Sequence, residues 1–184
     1  MKPALIVIDV QNEYFVPHGQ WIIPDGLAAL AHIQELLSAF RQHQLPIFHI
    51  QHESPAPNAP VFRKGSLGRE VHPEITIQPG EKQIVKHVPG AFYQTSLEED
   101  LQTVQADTLV ICGYMTHMCC DTTTRQASER GLRVLFATDA TATLDLKLND
   151  KVIPHHMVHE TTLAIMTSFA SVIPTGEIIH TITQ

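Results

Sequence analysis

This chain has little charge, little cysteine and no long apolar run, and each shortage excludes something. Only 17% of its 184 residues are Asp, Glu, Lys or Arg, and the formal charge is −7. No basic cluster interrupts that balance, so the electrostatic footprint of a nucleic-acid or anionic-membrane partner is missing. Three cysteines, an odd number that includes an adjacent pair, make a poor disulfide framework. The opening MKPALIVID lacks signal-like charged, apolar and cleavage regions, so a reducing cytoplasm is the expected compartment. No apolar run reaches the roughly 20 residues that span a bilayer. Neither an internal repeat nor a low-complexity tract is present. With 43% hydrophobic residues, the chain reads as one compact domain, residues 1–184, with a sizeable core and a small molecule as its partner.

Short β-branched and aliphatic runs alternate with helical patterns along it. Ala4 to Ile8 reads as a strand, and Leu27, Leu30, Ile33, Leu36, Leu37 and Phe40, spaced by three and four, read as an amphipathic helix. Pro46 to Ile50 is a second strand, followed by a long aperiodic loop from Gln51 to Gly80, the kind of segment that carries function. Gln83 to Lys86 is a third strand, and Ser96 with Glu99 forms a capping box for a short helix. Thr108 to Cys112 and Leu132 to Ala137 are further strands, Cys119 to Arg130 and His155 to Phe169 further helices, and Ile178 to Ile182 is read as a last strand closing the sheet. Such alternation predicts an α/β fold, a mainly parallel sheet covered by helices on both faces.

In such sheets ligands bind beyond the carboxyl ends of the strands, so residues there are the first candidates for chemistry. Asp9 ends the first strand, Lys86 ends the third, and Cys119 follows the fourth at the start of a helix. An acid, a base and a nucleophile would converge. A helix N-terminus favours a thiolate over a thiol, which marks this end of the Cys119–Cys120 pair as reactive. Each residue alone has an ordinary explanation: a turn-forming carboxylate, a solvated lysine, a packed cysteine. Their joint placement favours catalysis, because a buried carboxylate and a buried ammonium are costly unless paired.

IVIDVQNEYF, KHVPGAFYQTSLEEDL and ICGYMTHMCCDTTTRQASERG resemble, in order and spacing, the isochorismatase-like cysteine hydrolase superfamily. The most specific part is Gly113, Thr116 and Cys119, followed by Thr123, Ala127 and Gly131. The resemblance implies a three-layer α/β/α sandwich with a six-stranded, mainly parallel, Rossmann-like sheet. It also implies a catalytic triad of Asp9, Lys86 and Cys119, and a cis peptide between Tyr114 and Met115. The Met115 and Cys119 N–H groups would form an oxyanion hole. The implied chemistry is hydrolysis of a C–N bond of a small amide, carbamoyl or ureido compound through a thioester, with no cofactor, in a homo-oligomer. Isochorismate-cleaving members lack the cysteine, so Cys119 argues against that activity. Nicotinamidases carry an Asp-x-His metal site after the second strand; here Ile50 replaces the carboxylate before His52, and no metal is expected.

Phe15, Trp21, Phe92 and Tyr114 are candidates to line a substrate pocket, and Gln51 to Gly80 is a candidate lid. Among twelve histidines, His155 and His159 sit four apart without a third ligand or an HExxH pattern, and His117 is not needed as a base. Gly65, Ser66 and Gly68 read as a turn rather than a phosphate loop. Two other classes are a catalytically silent metabolite-binding protein of the same fold, and a thiol redox sensor using Cys119 and Cys120.

Overall fold

The computed structural model describes residues 1–184. Six parallel strands form one sheet in the order β3-β2-β1-β4-β5-β8, with β1 Pro3–Ile8, β2 Ile47–His52, β3 Lys82–Lys86, β4 Thr108–Tyr114, β5 Arg133–Ala142 and β8 Ser171–Ile173. The helices are α1 Gly26–Gln42, α2 Leu97–Thr103, α3 Asp121–Glu129, α4 His155–Met166 and α5 Thr175–Ile182. A small antiparallel hairpin, β6 Leu146–Leu148 and β7 Lys151–Ile153, projects between β5 and α4. No helix is long and apolar enough to cross a membrane.

The central strands β1 and β4 are buried at every position and almost wholly apolar because they feed two cores. Leu5, Val7, Val110, Cys112 and Leu135 point into the core under α1 and α5, which contains Leu30, Ile33, Leu36, Phe40 and Ile178. Ala4, Ile6, Ile8, Leu109, Ile111 and Phe136 point the other way, against Leu97, Leu101, Ala127 and Met166 from α2, α3 and α4. The two-residue period of a strand assigns alternate side chains to opposite layers, and with both layers covered no polar alternation survives in the sequence.

Two expectations fail. Ile178 to Ile182 is not a strand but part of α5. Pro174 fixes its start, and Ile178 and Ile182, four apart, turn one face onto the α1 side of the sheet, leaving Ser171–Ile173 as the sixth strand. The Ser96–Glu99 capping box does not form either. The Ser96 hydroxyl donates to Asp100 Oδ2 at 2.7 Å and accepts no backbone N–H of the first turn.

The switch point of the sheet lies between β1 and β4, and the chain is tightest there. Ile8 pairs with Gly113, and β4 is irregular between Ile111 and Gly113. Gly113 has φ +115°, and a Cβ on it would lie 2.0 Å from the Ile8 carbonyl oxygen. Only glycine allows this approach. It brings the loops after β1 and β4 together.

Candidate active site

Asp9, Lys86 and Cys119 meet at this switch point. Asp9 leaves β1 with φ +52°, a left-handed conformation that Asp tolerates better than most residues, and this bends its carboxylate over the strand end. Lys86, the last residue of β3, reaches across the end of β2. Its ammonium forms an ion pair with Asp9 Oδ2 at 2.7 Å and donates to Cys119 Sγ at 3.2 Å and His52 Nδ1 at 3.4 Å. Lys86 and Asp9 are fully buried and Cys119 is 5% exposed. Burial alone would lower the lysine, but the Asp9 carboxylate and Cys119 outweigh it and hold the ammonium above its ordinary pKa. Both Asp9 carboxylate oxygens are buried without a hydrogen-bond donor, Oδ2 being held by the ion pair alone.

The resting thiol differs from the sequence expectation. Burial pushes the Cys119 thiol up, the Asp9 carboxylate adds to this, and Lys86 only partly opposes them. A π turn, Thr116–Cys120, runs from β4 into α3, and Cys119 lies within it. Burial thus favours the thiol over the thiolate, and attack through sulfur calls for a base. The Tyr114–Met115 peptide is cis, and the Met115 carbonyl accepts from the Met118 and Cys120 N–H groups at 3.1 and 3.2 Å. The Met115 N–H has no acceptor within the protein. Cys112 and Cys120 are fully buried, one in each core. All three cysteines are free.

The aromatic surroundings are only partly those anticipated. Tyr114 and Phe15 pair at 5.6 Å, and Tyr114 donates its hydroxyl proton to the Gly26 carbonyl at 2.6 Å. Trp21 reaches the group through Phe62, at 6.0 Å. Phe92 does not join them. It stacks under the Arg130 guanidinium and lines a surface cavity with Leu101, Gln102 and Leu132, because the chain after β3 turns toward α2 and α3. Tyr14 and Phe62 take the central places, pairing with each other at 5.3 Å, while Phe62 also packs edge-on to His52 at 5.2 Å.

Three consecutive buried polar residues hold the long loop over the site. Gln11 donates to the carbonyls of His52 and Arg69 at 2.9 and 2.5 Å and accepts from the His52 N–H. Asn12 donates to the Leu67 carbonyl, and Glu13 accepts from the N–H groups of Gln20 and Phe62. Their only sequence signal was polarity directly after a buried strand. His52, read earlier against a metal site, is turned to Lys86. Burial first, and then the ammonium, depress its pKa to about 4, so it stays neutral. Ile50 beside it is buried in the core.

A model of the Isochorismatase domain matches residues 3–175. The chain belongs to the isochorismatase family. Among its relatives, the isochorismatase family protein YddQ of Bacillus subtilis is 37% identical over 177 residues, covering 96% of this chain and 98% of that one. Nicotinamidase 3 of Arabidopsis thaliana is 30% identical over 159 residues, covering 80% and 76%. A crystal structure described as an isochorismatase hydrolase from Oleispira antarctica superimposes with a TM-score of 0.91 at 36% identity, covering 97% of this chain and 96% of that one. The isochorismatase-family neighbours share the six-stranded α/β fold, so the three strand ends that meet here belong to a hydrolase scaffold.

Proposed function

We propose that this isochorismatase-family hydrolase cleaves a C–N bond in a small amide, carbamoyl or ureido compound through a thioester on Cys119. The observation that carries the reading is the fully buried Lys86 ammonium in contact with both Asp9 and Cys119. A buried ammonium–carboxylate pair contributes little net stability compared with apolar packing, so its retention beside a thiol points to chemistry.

Burial favours the thiol, so its proton leaves as sulfur attacks. Asp9 accepts it, Oδ1 having no competing donor, while Lys86 stabilises the charge on sulfur and on the carboxylate. Sulfur bonds to the carbonyl carbon, and the resulting oxyanion accepts from the Met115 and Cys119 N–H groups; one such donor is worth about 3 to 4 kcal/mol. The C–N bond then breaks and the amine leaves with the proton from Asp9. Asp9 next deprotonates water, which attacks the thioester; the acid departs and Cys119 regains its proton. Three free, buried cysteines suit a reducing compartment.

Nicotinamide belongs in the substrate panel because of the relative named Nicotinamidase 3. It ranks below other small amides, since Ile50 provides no carboxylate beside His52 and Lys86 presents a positive charge to the ring. The test is ammonia release from simple amides, ureas and N-carbamoyl amino acids by the wild-type protein and Cys119→Ala. Activity confined to the wild type supports the reading, whereas activity surviving in Cys119→Ala overturns the thioester route.

A further inference from the structure

His159 lies on α4, 43 residues from Thr116, yet the two side chains meet at 2.9 Å, Nδ1 to Oγ1. The other ring nitrogen, Nε2, lies 3.1 Å from the Thr138 carbonyl. A carbonyl can only accept, so Nε2 carries the proton and Nδ1 must accept from the Thr116 hydroxyl. Both partners of the ring thus enforce one tautomer and one orientation. His155, one turn earlier, pairs with Asp25 and Asp145 at 3.3 and 2.8 Å; it lines the same surface cavity as His159 but shares no hydrogen-bond partner with it.

Thr116 is fully buried, follows Met115 directly and opens the π turn that contains Cys119. Its hydroxyl is held by a side chain anchored through Thr138 to β5 and through the backbone to α4. We propose that His159 is a positioning residue: by fixing Thr116 it holds the Met115 and Cys119 N–H groups at the spacing the reaction's oxyanion requires. This rests on the thioester reading above. Burial, the largest influence on His159, keeps the ring below its ordinary pKa and Nδ1 available as an acceptor at neutral pH.

The two reactions of Cys119 separate this role from a merely structural one. Acylation by p-nitrophenyl acetate passes through a tetrahedral oxyanion: the sulfur–carbonyl bond forms, the ester C–O bond breaks and p-nitrophenolate leaves. Alkylation by iodoacetamide displaces iodide and forms no oxyanion. Thr116→Val, which keeps the shape and removes the hydroxyl, and His159→Leu should each slow acylation about 10- to 100-fold, with KM changed less than threefold. Alkylation of Cys119 should stay within twofold of wild type. Thr116→Ser and His159→Asn, which retain a donor and an acceptor, should recover most of the acylation rate. Thr116→Val combined with His159→Leu should cost no more than either alone. If His159→Leu does not fold, the Thr116→Val and Thr116→Ser pair measures the same hydrogen bond. Equal acylation in wild type and Thr116→Val, or parallel losses of acylation and alkylation, overturns the positioning role while leaving the thioester reading intact. Absence of Cys119-dependent acylation in the wild type overturns both.

Discussion

Replacing Lys86 by methionine keeps the side-chain length and removes one charge from the centre of the site. The ammonium lies 3.2 Å from Cys119 Sγ. At an effective dielectric of about 20, a unit charge at that range favours a thiolate by about 5 kcal/mol, or about 4 pKa units. Relaxation and entering water reduce this, but even half of it makes the sulfur about 100-fold less reactive. Lys86→Met should therefore alkylate at Cys119 with iodoacetamide at least about 100-fold more slowly at pH 7.5, and its amide turnover should fall about 1000-fold or more. The substitution also strands Asp9, which is fully buried. Removing one partner of such a pair costs about 3 to 5 kcal/mol of folding stability. Adding Asp9→Asn removes the stranded charge and should return about 2 kcal/mol of stability with no activity, which separates folding from chemistry. The assay is the pseudo-first-order alkylation rate, mapped by peptide mass spectrometry, with circular-dichroism melts as the control for folding. A folded Lys86→Met protein whose Cys119 alkylates within threefold of wild type would refute the reasoning.

Three other outcomes follow from the same geometry. If the thiol proton moves to Asp9 within the site, the alkylation rate of wild-type Cys119 stays flat within about threefold from pH 6 to 8; a rise of about tenfold per unit means that the thiol ionises to solvent instead. Gly113→Ala, with φ +115° and a Cβ position 2.0 Å from the Ile8 carbonyl, should destabilise by about 4 kcal/mol or more, and a chemical-denaturation loss below about 1 kcal/mol would contradict the close approach of β1 and β4. Burial and the Lys86 ammonium hold His52 at about 4 when folded against about 6.5 when unfolded. The unfolded chain binds the extra proton between those values, so the stability is complete above about pH 6.5 and is lost as pH falls toward 4. This amounts to about 3 kcal/mol at most, and His52→Gln should flatten that part of the stability curve; an unchanged slope would show that His52 is not held neutral.

The parts legible from sequence are those carried by local pattern. Strands buried on both faces appear as unbroken apolar runs, and the three strand-end residues stand out because Asp9 and Lys86 are charged where the neighbouring chain is apolar. What was not legible depends on contacts distant along the chain. Gln11, Asn12 and Glu13 look like an ordinary polar loop until the loop containing Phe62, Leu67 and Arg69 folds back onto them. His159 and Thr116 have no shared local pattern, and only the packing of α4 against the π turn joins them. Phe92 and Ile178 were misplaced for a related reason. Apolarity marks a residue as buried, but which layer buries it is set by where the chain turns: after β3 in one case, and at Pro174 in the other. The raised Cys119 thiol was hidden in the same way, since the sequence shows a nearby helix but not the depth of burial beside Asp9.

The most direct measurement of the central claim is acid-quench mass spectrometry of the protein during turnover of its best amide or of p-nitrophenyl acetate. The predicted result is one acyl group, mapped to the peptide carrying Cys119 and lost on hydroxylamine treatment, with none on Cys112 or Cys120 and none in Cys119→Ala. Sustained turnover with an unmodified Cys119, or an equal rate in Cys119→Ala, would contradict it.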